Sequence, residues 1–157
     1  MKVARHTAHT GFIYLSLVAL LLSSCAVQYV SRYDEATEKS ITTIQRNVES
    51  LFQKIERSLG TPEAAYENYE TTYEQLHVDA AILNSRAQAI DHNSITAEQS
   101  KLLMTWLDNL EELHKTGFTN AGMLAITRQQ AEQIFVAMLK FELAKKRQLD
   151  PAIIEGE

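Results

Sequence analysis

Tyr66, Tyr69, Tyr73, Leu76, Ala80, Leu83, Ala87 and Ile90 recur at strictly alternating three- and four-residue spacing. That rhythm places eight side chains on one stripe of a helix and on both faces of a strand, so it selects helix. A seven-residue repeat also keeps the stripe on one side over several turns, which only neighbouring helices in coiled-coil-like packing can cover. The chain has two prolines and five glycines in 157 residues, so little interrupts long helices.

Three further helical segments flank this one. Ile41, Ile44, Val48, Leu51 and Ile55 mark a first helix from about Asp34 to Leu59, closed by Gly60. Thr61-Pro62-Glu63 reads as the start of the second, with a capping hydroxyl, a proline at the first helical position and an acid near the positive helix end. The second helix is expected over 62–90. Asp91 to Ser94 form a polar turn, and Thr96 with Gln99 reads as a capping box for the third. That helix carries Leu103, Trp106, Leu110 and Leu113 and stops at Gly117. The fourth spans about Met123 to Leu149, with Ala131, Ile134, Met138 and Phe141 inward and Phe135, Val136, Leu139 and Leu143 widening its apolar face. Short connections make neighbours antiparallel. The expected fold is all-α: an up-down-up-down four-helix bundle over residues 34–150, with a tail at 151–157.

The N-terminus reads as an export signal. Lys2 and Arg5 precede an uncharged run from Gly11 to Leu22. About a dozen helical residues cover roughly 18 Å, short of the roughly 30 Å hydrocarbon core. Leu22-Ser23-Ser24-Cys25 then resembles the lipobox of bacterial lipoproteins, in which the cysteine is acylated and becomes the first mature residue. Cys25 is the only cysteine, so it has no disulfide partner within the chain. The resemblance implies a signal peptide at 1–24, a lipidated Cys25 with a tether at 25–33, and palmitate on the mature protein. Ala26, where an aspartate tends to retain such proteins at the inner membrane, implies the periplasmic face of the outer membrane. Tyr29, Val30 and Tyr33 either rest at headgroup level or begin the bundle core.

Removing residues 1–24 takes away Lys2 and Arg5, so 13 basic residues face 20 acids across 133 residues, a net charge of −7. No nucleic-acid interface is expected of such a chain. Tethered at its N-terminus, the bundle would bring the end of the fourth helix back to the membrane. Lys145, Lys146 and Arg147 are therefore expected near the bilayer, complementing either the helix C-terminus or anionic headgroups. The loops at Gly60 and Gly117 are expected at the far end. There Tyr66, Tyr69, Phe118 and Met123 form a candidate partner-binding cluster, or plug the bundle end.

One pattern invites a metal. Glu74 with His77, and Glu111 with His114, have the Glu-x-x-His spacing used by two-metal bundles. With Tyr73/Leu76 and Leu110/Leu113 as the seams, a turn of about 100° per residue sends both glutamates outward and leaves both histidines on the flanks. No metal site is expected, and the histidines read as surface residues. Met104, Met123 and Met138 read as core filler rather than haem ligands. No nucleophile elbow, phosphate-binding loop or dinucleotide fingerprint occurs. Neither enzymatic activity nor a cofactor is expected.

Tyr33-Asp34, Ile41 to Gln45, Leu76 to Asp79, Ser85 to Ala87, Leu110 to Lys115 and Glu142 to Arg147 resemble a family of small all-helical proteobacterial outer-membrane lipoproteins without assigned activity. A second resemblance, in size, anchor and fold class, is to the helical pilotins, which escort secretin subunits by gripping a peptide helix. Those pilotins carry a disulfide inside the domain, whereas Cys25 is the sole cysteine here. The expected function is a non-enzymatic periplasmic binding or scaffold module for an envelope protein, attached to the membrane through its lipid. The alternatives are pilotin-like escort and a small-molecule or metal sensor, which a pocket lined by Tyr66, Tyr69 and Tyr73 would favour.

Overall fold

The computed structural model describes residues 30–118 and 120–149. Four α-helices form an antiparallel up-down-up-down bundle: α1 (Glu35–Ser58), α2 (Glu70–Ala89), α3 (Ser94–Thr116) and α4 (Ala121–Leu149). No described helix is long and apolar enough to cross a membrane. The expected signal peptide, Cys25, the first part of the tether and the tail at 151–157 lie outside the described residues.

Asp34 starts α1. Its carboxylate accepts from the Thr37 backbone N–H at 3.0 Å and the Thr37 hydroxyl at 2.6 Å. It also receives Arg86 of α2 through two bonds of 2.6 and 2.8 Å. The Arg86 guanidinium and the Thr37 donors hold the carboxyl well below the usual carboxylate range. Asp34→Ala removes a cap and a cross-helix clamp, and should cost about 1–2 kcal/mol of unfolding free energy in urea. A loss below a few tenths would show that Asp34 does not cap the helix.

The second helix begins later than expected. Residues Pro62–Ala64 and Tyr66–Asn68 form two 3-10 turns, and α2 proper starts only at Glu70. Asn68 pins the first turn by donating to the carbonyls of Pro62 and Glu63. The tighter turns let this short segment fold over the bundle end before the chain descends.

The third helix starts earlier, at Ser94. Thr96 makes no capping box: it is fully buried inside the first turn, and its hydroxyl bonds Glu142 of α4 at 2.7 Å. Asn93 occupies the cap position, but its side chain is committed elsewhere. Gly117 ends the helix at φ 90°, a conformation open to glycine at no side-chain cost. Asn120 caps α4 by accepting from the Met123 N–H at 2.9 Å.

The core contains Ile41, Ile44, Val48, Leu51 and Ile55 of α1, joined by Phe52, and Tyr73, Leu76, Ala80 and Leu83 of α2. On α3 the inward seam is Thr96, Ser100, Leu103, Leu107, Leu110 and His114, while Trp106 and Leu113 stand half-buried beside it. On α4 it is Leu124, Thr127, Ala131, Phe135, Met138, Glu142 and Lys145; Ile134 and Phe141 are only partly covered. Both helices are rotated from the faces expected of them, because polar residues complete their seams.

Candidate functional site

At the end near Gly60 and Gly117, His114 is 2% exposed and enclosed by aromatic rings. The ring centres of Tyr69 and Phe118 lie 5.2 Å away, Tyr73 at 5.7 Å and Tyr66 at 6.0 Å. His114 is therefore not the surface histidine expected from a Leu110/Leu113 seam; it is the seam residue itself. Its Nε2 lies 2.8 Å from the Ala64 carbonyl, which only accepts, so Nε2 carries the proton. Neutral Nδ1 is then the acceptor for the Tyr73 hydroxyl at 3.0 Å. Burial lowers the His114 pKa from its ordinary value, against the Ala64 bond and Glu67, and raises that of Tyr73. Both rings are held neutral, and His114 ties the 3-10 segment to α3.

Glu111, one turn away, is also turned further inward than expected. Tyr66 donates to its Oε1 at 2.7 Å, Lys115 Nζ lies 3.0 Å from the same oxygen, and His77 Nε2 meets Oε2 at 2.7 Å. Burial works to raise the Glu111 pKa, but these three donors outweigh it and bring it to about 2. The hydrogen bond to Glu111 pushes Tyr66 up to about 12. Glu74 is exposed, and no group of three or more His, Cys, Asp or Glu residues among those described is arranged to hold a metal. The four expected cluster residues separate: Tyr69 is buried, Tyr66 and Phe118 are half-buried against His114, and Met123 lies apart with Leu113 and Ile126. The three tyrosines close on His114 rather than on a ligand pocket, so the sensor alternative has no support from them.

The opposite end corrects a second expectation. Lys145 does not belong to an exposed basic cluster. It is 3% exposed, and its ammonium bonds Asn93 at 2.6 Å, Thr96 at 2.8 Å and Glu142 at 2.7 Å. Ser31 joins through Asn93 at 2.8 Å, and its backbone N–H bonds the His92 carbonyl at 2.9 Å. Ser31, expected in the tether, is thus part of the bundle. Tyr33 bonds Glu38 and lies under Lys146, whose Nζ is 5.0 Å from the ring centre. Of the three basic residues only Lys146 and Arg147 face solvent. The chain rotates Lys145 inward because it stands three residues after Glu142 and seven after Met138, on the buried stripe.

The feature best shaped to bind is a groove of about 570 Å³ between α1 and α4. Val48, Phe52, Leu124, Ala131 and Phe135 make its floor, and its rim carries Arg46, Glu49, Glu56, Arg128 and Glu132. Arg128 grips Glu49, with one bond of 3.0 Å, and reaches Glu56 at 3.2 Å. Burial works to raise the Glu49 pKa, yet Arg128 and Gln53 lower it. Arg46, by contrast, has no carboxylate partner among the described residues; its guanidinium donates to the Thr43 hydroxyl at 3.5 Å. An apolar floor inside a polar rim can receive a peptide segment.

Compared with protein-family models, curated proteins and solved structures, the chain matches none.

The groove escaped the sequence reading. Phe52 carried a usable signal, standing four residues after Val48 and three before Ile55 on the shoulder of the α1 stripe. The pairing of Arg128 with Glu49, 79 residues away, carried none.

Proposed function

We propose that the chain is a lipid-anchored envelope protein acting as a non-enzymatic binding module on the periplasmic face of the outer membrane, where the α1/α4 groove holds a segment of an envelope partner. The groove carries the binding reading. Its floor would receive a large apolar side chain, and Arg46 would receive a carboxylate beside it. An escort role for an outer-membrane protein would use the same groove. The address rests on the basic N-terminus, the short apolar run and Leu22 to Cys25. Ser31 bonds the bundle at the end where α1 begins, so the six steps from Cys25 would keep that end within about 20 Å of the lipid.

Two measurements test this. Cys25→Ser should move the protein from the membrane to the soluble periplasmic fraction; a variant still acylated and retained would defeat the address. A photo-crosslinking residue at Gln129 should mark an envelope protein, and Arg46→Glu should reduce that product several-fold. If no protein is marked, or Arg46→Glu changes nothing, the groove is not the docking site.

A further inference from the structure

A second face of the bundle, along α3 and α4, is left uncovered by the described residues. Ile95, Leu102 and Ile126 are 48%, 64% and 62% exposed. Leu102 and Ile126, with Trp106, Leu113 and Ala137, line two shallow grooves of about 560 and 520 Å³ that share Gln130, and among the described residues no charged one lines either. On α3 this outer stripe repeats at 95, 99, 102, 106 and 113, spacing that suits helix-on-helix packing. Charged residues line the α1/α4 groove itself, whereas here they stand only on the shoulders of the face.

We propose that the α3/α4 face pairs with a second copy of the same chain about a two-fold axis parallel to the helices. Such a pairing sets α3 of one copy against α4 of the other and repeats each contact twice. The register is fixed within the chain. Thr96 bonds Glu142 and Lys145, Leu102 shares a groove with Ala137, and Leu113 shares one with Ile126. The two-fold places the same levels opposite one another. Leu102, a large knob, faces the small Ala137 of the second copy, and Leu113 faces Ile126. Asn109 stands level with Gln130 of the second copy, and two side-chain amides can each donate to and accept from the other.

Charge completes the match. Glu98 lies on the outer shoulder of the α3 stripe and Lys140 on that of α4, and neither is ion-paired among the described residues. By the same register Glu98 stands level with residue 141, so across the two-fold it meets Lys140 of the second copy. An unrelated helix has no reason to match both shoulders; a second copy does so twice. The lipid anchor rests on the preceding proposal and would hold both copies in the parallel orientation this axis requires, raising their effective concentration. The contact itself needs no membrane.

The full chain, made as the Cys25→Ser variant to remove both acylation and the only thiol, is the sample for sedimentation equilibrium. A reversible dimer is expected, accompanied by a blue shift of Trp106, the chain's single tryptophan. Leu102→Glu should weaken it by roughly a hundredfold, since the buried knob becomes a charge at two symmetric places. Glu98→Lys alone and Lys140→Glu alone should each weaken it roughly tenfold, and the double exchange should restore it. A chain that stays monomeric at high concentration overturns the proposal. So does a dimer indifferent to Leu102→Glu, or one the double exchange fails to rescue. Crosslinking from Trp106 in the native envelope to a different protein, with no dimer present, would assign the face to that partner instead. None of these results bears on the α1/α4 groove or on Cys25, so the two proposals fail separately.

Discussion

Replacing Lys145 with methionine should destabilise the bundle by about 3–5 kcal/mol, the largest effect expected of any single substitution away from the apolar core. Methionine preserves much of the apolar stem. What it removes is the ammonium, whose three protons serve Asn93, Thr96 and Glu142 inside the bundle. The Glu142 carboxylate would then keep only the Thr96 hydroxyl, and its second oxygen is already buried without a hydrogen-bond partner among the described residues. A buried charge left in that state costs far more than the pair contributed. The double variant Glu142→Gln with Lys145→Met should therefore recover most of the loss, to within about 1–2 kcal/mol of the native chain. Urea unfolding monitored by circular dichroism gives both values. If the single variant unfolds no more easily than the native protein, Lys145 is not buried against Glu142. If the double variant is as weak as the single, the cost lies in lost packing rather than in stranded charge.

His114→Ala should cost about 3 kcal/mol, because the ring fills the space between four aromatic side chains and bonds both Ala64 and Tyr73. His114→Phe fills the space but leaves the Ala64 carbonyl and the Tyr73 hydroxyl without partners, for about 1–3 kcal/mol. The same residue predicts a pH dependence. Burial, the largest cause, holds the folded-state pKa of His114 below its ordinary value of 6.5. The unfolded chain therefore takes up a proton first. The stabilisation is complete above pH 6.5 and is lost as pH falls through the depressed folded value. Glu111 has its own window: its pKa is lowered from 4.5 to about 2, so its contribution is present above 4.5 and fades as pH falls toward 2. Unfolding free energies measured at intervals from about pH 7.5 to 5 should fall more steeply for the native chain than for His114→Phe. Parallel curves would mean that His114 carries its charge in the folded state as easily as in the unfolded one.

The two corrected faces share a cause. In α3 and α4 an apolar stripe was legible, but each helix has two. Leu102, Trp106 and Leu113 are as apolar as Leu103, Leu107 and Leu110 and obey the same spacing, so hydrophobicity alone cannot say which stripe is buried. The inward stripe of α3 begins with Thr96 and Ser100 and ends with His114, and that of α4 ends with Glu142 and Lys145. Read singly, these residues look like surface positions. Thr96, Glu142 and Lys145 become interior residues only as a set, since each supplies the hydrogen bond that another needs, while Ser100 finds Asn84 of α2 and His114 finds Ala64 and Tyr73. In the same way Pro62 at a helix start was a sound local signal. The tertiary structure used it for a 3-10 turn, because a tight turn puts the Ala64 carbonyl over His114.

The sequence by itself determined that the described residues are helical, that they form four α-helices, and that these run antiparallel. Those properties follow from local terms: a seven-residue rhythm, an aspartate cap at Asp34, glycines at 60 and 117, and connections too short to reverse the topology. Its N-terminal pattern likewise supplied the only ground for an address. Rotation of each helix about its own axis was left to the tertiary structure, and with it the burial of His114, Glu142 and Lys145, the groove beside Phe52 and Arg128, and the free stripe at Leu102. Rotation is decided by which polar side chains find partners when four helices close together, and that pairing energy exists only between residues distant in sequence.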